Sequence, residues 1–351
     1  MTMKILIAGN MGYVGPVVVR RLRESFPDAT LVGLDTGYFA HCLTARDMLP
    51  ECLLDRQYFG DVRHVKPQLL EGFDAVVNLA AISNDPMGNR FEAPTYAINH
   101  HAAVTLAKYA KSAGVRSYIF ASSCSVYGCA DGGAKTESSE LNPLTTYAKS
   151  KVSTERDLTT LAAGTFTVTC LRFATACGMS DRLRLDLVLN DFVAGAIVSK
   201  KVTVLSDGTP WRPLINVRDM ARAIDWAVRR QACHGGAHLV VNVGSNKWNC
   251  QVRDLAEIVA TVIPGVEVSI NKSAQVDKRS YRVNYDLFEQ LAPDFQPLSD
   301  LKSTVEELQE GLARAGFKDP NYRESDLIRL NVLNNLHRQG VLRESLEWET
   351  V

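Results

Sequence analysis

Short, continuously apolar runs rich in β-branched residues alternate along the chain with longer stretches whose apolar positions recur every three to four residues. In the first half the short runs fall at 4–8, 30–34, 75–79, 117–121 and 167–171. They lack the polar alternation of a strand with one wet face, so they are predicted as buried parallel strands. Between them, residues 17–26, 96–113 and 146–162 carry helical spacing and are predicted as amphipathic helices. Strand and helix in this rhythm predict an α/β fold, a Rossmann-like doubly wound parallel sheet.

The second half changes rhythm. Helices are predicted at 185–199, 218–230, 251–263, 301–315 and 325–339, strands at 202–205 and 238–243, and a turn-rich segment at 206–213. No repeat or low-complexity linker separates the halves, so a smaller C-terminal α/β lobe is expected, stitched to the sheet by crossing segments. The expected partition is a dinucleotide-type domain over 1–177 with return segments near 214–243, and a second lobe over 178–213 and 244–351.

Composition narrows the function classes. The 351 residues carry formal net charge +0 and are 46% hydrophobic, enough for a large core. Balanced charge supplies no general basic field, so nucleic acid and anionic membrane are not expected partners. The first apolar run is too short for a signal core or a span, which points to the cytoplasm. Eight cysteines are scattered without a Cys-x-x-Cys pair or a histidine cluster, so buried thiols are expected, with neither disulfides nor a metal site. His100 and His101 fall inside a predicted helix and are expected as ordinary core or surface histidines.

Gly9-Asn10-Met11-Gly12-Tyr13-Val14-Gly15 follows the first strand directly and opens the first helix. Glycines there permit a tight turn and close approach of backbone to a pyrophosphate, and the helix end offers N–H groups and a positive dipole. Asp35 ends the second strand, where a carboxylate accepts from ribose hydroxyls and repels a 2′-phosphate, so NAD is the expected cofactor. Asp61 and Val62 are expected near the adenine, and Leu79, Ala80 and Ala81 where a cofactor backbone passes.

Tyr147 and Lys151 lie four residues apart at the head of a predicted helix and share a face. A phenol titrates near ~10 alone; a neighbouring ammonium favours its anion and brings it toward neutral pH. Ser123, at the end of the preceding strand, supplies a hydroxyl for the same substrate oxygen. Together these take a proton from an alcohol while its carbon gives up hydride to a nicotinamide.

The set Gly9-x-x-Gly12-x-x-Gly15, Ser122-Ser123-Cys124-Ser125-Val126-Tyr127-Gly128 and Tyr147-x-x-x-Lys151 resembles the extended short-chain dehydrogenase/reductase family, on its nucleotide-sugar epimerase and dehydratase branch. The likeness continues through Leu171–Gly178 and Asp207–Asp219 to at least Val243. It implies an NAD-dependent enzyme acting on a nucleotide-sugar, with Ser123, Tyr147 and Lys151 catalytic and Asn99 supporting the proton relay or merely bending its helix. It also implies that Asn190 and Arg212 hold the substrate diphosphate, that Arg279 and Tyr281 close over it, and that the enzyme is a homodimer through helices 96–113 and 146–162.

Departures from the family pattern matter as much. Dehydratases of the branch carry an Asp-Glu pair after the catalytic serine, where this chain has Cys124 and Ser125, so loss of water across C5 and C6 is not the expected reaction. Cys124 is expected as a packed thiol, with a displaced proton donor as the alternative. Thr175 replaces a common asparagine at a substrate position. Ser83 and Asn84 are expected to face the substrate, and Asp85 is expected as a turn residue ahead of an auxiliary acid or base. The leading expectation is an epimerase acting at C4 of the sugar through a transient ketone. A ketosugar reductase or dehydrogenase is the runner-up. A noncatalytic dinucleotide sensor is a third reading, but such a protein needs no phenol–lysine pair.

Overall fold

The computed structural model describes residues 2–44, 48–129, 132–274 and 279–349. Its main sheet takes β1 (Lys4–Ala8), β2 (Thr30–Asp35), β3 (Arg56–Phe59), β4 (Ala75–Asn78), β5 (Ser117–Ser123) and β6 (Thr167–Phe173) from the first half. A short β7 (Thr175–Cys177), β8 (Lys201–Val204) and β9 (Trp211–Asn216) follow, and β10 (His238–Val243) returns to the main sheet. The order is β10-β6-β5-β4-β1-β2-β3, parallel throughout. Strand order reverses between β1 and β4, and such a switch leaves a crevice beyond the strands' carboxyl ends.

Alternation along each strand feeds two cores. In β1, Ile5 and Ile7 join one apolar cluster while Leu6 and Ala8 join the other. Helix α1 (Gly15–Ser25) covers the first face. The opposite face carries α2 (Asp85–Arg90), α3 (Glu92–Tyr96), α4 (Ala103–Ser112) and α5 (Thr146–Thr159). Residues Ala97–Ala102 form a π-helical insert between α3 and α4, inside the single helix predicted from sequence.

The smaller lobe contains α6 (Val188–Ser199), and α7 (Val217–Arg229) returns to lie on α1. Strand β11 (Asn249–Gln251) completes a three-stranded sheet in the order β11-β9-β7; α8 (Val252–Val262) leads to β12 (Glu267–Ile270), which pairs with β8. Helices α9 (Asp286–Leu291), α10 (Leu301–Arg314) and α11 (Arg329–Arg338) close the chain.

Two boundaries differ from the expected partition. Strand β9 belongs to the lobe's sheet, so the return begins at α7 and not at 214. The C-terminal segment does not stay with the lobe: Leu333, Leu342 and Leu346 are buried among Leu6, Val32 and Phe120 of the main sheet. Burial of these three leucines, and not a chain-local signal, carries the tail across. No described helix is long and apolar enough to cross a membrane.

Candidate active site

A cavity of about 870 Å³ opens beyond the carboxyl ends of β1 and β4, at the switch in strand order. Gly9 follows β1 with φ +84°, and a Cβ there would stand 2.5 Å from the Ala80 nitrogen, so only glycine lets the two loops meet. Gly9, Gly12, Tyr13 and Val14 line the cavity on this side. Asn10, Met11 and Gly15, expected beside the cofactor, sit behind that wall. Asn10 donates to Gln57 Oε1 at 2.6 Å, Met11 is 4% exposed, and a Cβ on Gly15 would lie 2.1 Å from the Asn10 carbonyl oxygen. These residues shape the loop and do not face its contents.

Asp35 lines the same end of the cavity and braces the glycine loop, its carboxylate accepting from the Met11 N–H at 2.9 Å and the Gly37 N–H at 2.8 Å. Burial pushes its carboxyl above the usual range, against those two hydrogen bonds. Asp61, Val62, Leu79, Ala80 and Ala81 complete this wall. Asp61 also caps a short turn by accepting from the Arg63 N–H at 2.8 Å, and pairs with the Arg63 guanidinium.

The opposite end is built by β5 and α5. The Thr145 hydroxyl caps α5 by accepting from the Ala148 N–H at 3.2 Å, which fixes the register of the helix. Tyr147, Lys151 and Glu155 then recur every fourth residue, and the last three residues of β5 meet them one by one. Lys151 Nζ donates to the Ala121 carbonyl at 2.7 Å, Ser122 Oγ donates to Glu155, and the Ser123 hydroxyl stands beside the Tyr147 phenol, near enough to favour its anion. Ser123, Tyr147 and Lys151 all line the cavity.

The electrostatics differ from the sequence expectation. Burial pushes the Tyr147 phenol up to about 12, opposed first by the Ser123 hydroxyl. Burial pushes Lys151 down to about 7, opposed by the Glu155 carboxylate. The lysine nitrogen lies 5.6 Å from the centre of the Tyr147 ring. Its anchor on a strand carbonyl, and its own desolvation, leave the serine as the main group favouring the phenolate.

Of the residues expected around a substrate, Ser83, Asn84, Ser125, Thr175, Arg212 and Arg279 line the cavity, as do Asp85 and Tyr281. Ser83 accepts from Arg184 at 2.7 Å; Asn84 caps α2 through the Met87 N–H at 2.9 Å and donates to Asp186 at 2.7 Å. Asp85 opens α2 and pairs with Arg279 at 2.9 Å, which ties that helix to the 279–281 segment.

Three expected residues are buried away from the cavity. Cys124 is fully buried, its thiol donates to the Arg172 carbonyl at 3.1 Å, and burial pushes its pKa up, so it is a packed thiol. Asn99 sits in the π insert with its amide accepting from the Ile82 N–H at 2.8 Å and donating to the Ile82 carbonyl at 2.9 Å. It props the 80–84 loop. Asn190 accepts from the Gly178 N–H at 3.0 Å and donates to the Arg184 carbonyl at 2.9 Å, which leaves it no face toward a diphosphate.

Sequence reasoning missed several residues. Arg184 lines the cavity, paired with Asp186 at 2.8 Å, and Arg329 enters from α11. Nothing local marks either. Glu155 had a signal: it extends the four-residue spacing of Tyr147 and Lys151, and it is buried in a pair with Arg172 at 2.7 Å.

Comparison with known proteins gives the family. The UDP-glucose 4-epimerase of Corynebacterium glutamicum is 28% identical over 261 residues, 69% of this chain and 75% of that enzyme. The dTDP-glucose 4,6-dehydratase of Streptomyces griseus is 29% identical over 252 residues, 70% and 74% of the two chains. Among solved structures, MoeE5 in complex with UDP-glucose and NAD has a TM-score of 0.74 and 25% identity, covering 89% of this chain and 99% of that one. Residues 5–244 match the family described as NAD dependent epimerase/dehydratase, and they span the glycine loop, the Ser123–Tyr147–Lys151 cluster and the return strand. The chain belongs to that family and is an NAD-dependent enzyme of the epimerase and dehydratase type.

Proposed function

We propose that the enzyme is a nucleotide-sugar epimerase acting at C4 of the sugar. The observation that carries the reading is the meeting of Ser123, Tyr147 and Lys151 on one wall of the cavity whose other end is the glycine loop and Asp35. The residues present fit NAD: Gly9 and Gly12 line the cavity's end with bare backbone, and a buried carboxylate stands where a 2′-phosphate would meet repulsion. When bound, NAD supplies a reversible hydride acceptor beside the sugar carbon.

The protein's own groups handle the proton. Tyr147 Oη takes it from the sugar hydroxyl and later returns it, while Ser123 Oγ hydrogen-bonds the same oxygen and favours the phenolate. Lys151, anchored on Ala121, places its charge beside the ring and holds the helix against β5. Arg212 and Arg279 suit the diphosphate of the nucleotide, with Tyr281, Thr175, Ser83, Asn84 and Ser125 around the sugar.

Epimerisation is favoured over dehydration because Cys124 and Ser125 offer no carboxylic acid and base after Ser123, and Cys124 is sealed from the cavity. A ketosugar reductase uses the same three residues for one net hydride transfer. Family likeness also supports a cytoplasmic homodimer, which light scattering of the purified protein tests. For the reaction, the protein is denatured to look for released NAD, then incubated with UDP- and dTDP-sugars while sugar protons are followed by NMR. Inversion at C4 without net NADH consumption supports the reading. Stoichiometric NADH oxidation, or formation of a stable 4-keto-6-deoxy sugar, refutes it.

A further inference from the structure

We propose that the C-terminal segment is a wall of the NAD site, with Arg329 of α11 meeting the negative charge of the dinucleotide's diphosphate. The inference needs the cofactor but not any particular sugar chemistry.

Arg329 is 1% exposed yet lines the cavity. Its hydrogen bonds end on backbone carbonyls: Asp326 at 3.0 Å, Arg182 at 2.8 Å and Leu183 at 3.1 Å. Its Nε is buried without a partner among the described residues. The two arginines next to it differ: Arg182 pairs with Glu51 at 2.7 Å and Arg184 with Asp186 at 2.8 Å. Among the described residues no carboxylate forms an ion pair with this guanidinium; Asp186, already paired with Arg184, acts on it only from farther off, and burial pushes its pKa down to about 10. An anion in the cavity supplies what the protein withholds. Arg329 is also the first residue of α11, so the helix end adds partial positive charge there.

Its neighbours identify which anion. The guanidinium stands 4.9 Å from the centre of the Phe39 ring, and Phe39, Thr36 and Tyr38 line the cavity just beyond Asp35, at the adenosine end. The tail after α11 braces this same loop. The Tyr38 hydroxyl donates to the Leu346 carbonyl, Arg63 donates to the Leu346 carbonyl at 3.0 Å, and Trp348 Nε1 donates to the Thr36 carbonyl at 2.8 Å. The Trp348 and Tyr38 rings lie 5.5 Å apart. One segment therefore brings the charge and also fixes the loop against which the adenosine half rests, far in sequence from the glycine loop.

The test is calorimetric titration of cofactor-stripped protein with NAD, ADP-ribose and UDP, for the unmodified chain, Arg329→Gln and Trp348→Ala. Arg329→Gln is expected to weaken NAD and ADP-ribose about ten- to a hundred-fold, the worth of a charge-assisted hydrogen bond, while UDP binding stays within about twofold. Unchanged NAD and ADP-ribose affinity overturns the proposal. So does a loss confined to UDP, which would assign the arginine to the substrate's diphosphate. Should Arg329→Gln not fold, Trp348→Ala decides: its half-exposed ring is removable without opening the core, and a severalfold loss of NAD and ADP-ribose affinity is expected. No loss there overturns the proposal equally.

Discussion

Lys151 gives its hydrogen bond to the carbonyl oxygen of Ala121, at 2.7 Å, while the centre of the Tyr147 ring lies 5.6 Å from the same nitrogen. The lysine thus acts on the phenol through space, and its own charge depends on how deeply it is buried. Burial holds it at about 7 in the folded protein, below the ordinary lysine value of ~10.4. Between those pH values the unfolded chain binds the extra proton, so this group's destabilising effect is complete below 7 and fades as pH rises toward 10. Lys151→Met is therefore expected to raise the Tm of cofactor-free protein more at pH 6 than at pH 9.5. Equal shifts at the two pH values, measured by scanning calorimetry, contradict a desolvated lysine.

Removing the Tyr147 hydroxyl separates chemistry from binding. Tyr147→Phe is expected to lower turnover by ~10²–10⁴, the usual range for a lost acid–base group. The ring stays on the cavity wall, so NAD affinity should hold within about twofold. Undiminished turnover of the nucleotide-sugar would remove Tyr147 from the proton transfer.

Asp35 does two things at once, accepting from the Met11 and Gly37 N–H groups while lining the cavity. Asp35→Ala is expected to weaken NAD about tenfold and to narrow the gap between NAD and NADP. Fluorescence titration with both cofactors measures it. Tighter binding of NADP than NAD by the unmodified protein overturns the assignment.

Asn190 offers the opposite test. Its side chain satisfies the Gly178 N–H and the Arg184 carbonyl in the interior. Asn190→Ala should cost ~1–3 kcal/mol of stability by leaving those groups unpaired, with KM for the nucleotide-sugar unchanged. A raised KM with an unchanged Tm restores the asparagine to the substrate site.

Much of the sheet was legible because burial on both faces writes its strands as uninterrupted apolar runs. Strands β1, β5 and β10 fall at or near their predicted places. The short edge strand β11 was not legible: it reads Asn-Cys-Gln and has no apolar run of its own. The π insert at Ala97–Ala102 also left no mark, because helical spacing passes through it unbroken. Within the site, Ser123, Tyr147 and the glycine loop announced themselves by local spacing. The fates of Asn99, Cys124 and Asn190 hinged on partners 12 to 48 residues away, which no local pattern names.

Sequence alone determined the α/β class, the position of the glycine turn, the carboxylate at the end of β2 and the shared face of Tyr147 and Lys151. Each follows from spacing within one strand, turn or helix. Tertiary structure alone decided that Lys151 bonds a strand carbonyl, that Asn190 faces inward, and that Arg329 of α11 lines the cavity. Those outcomes depend on which distant surfaces exclude water together, and burial of that kind is a property of the packed chain as a whole.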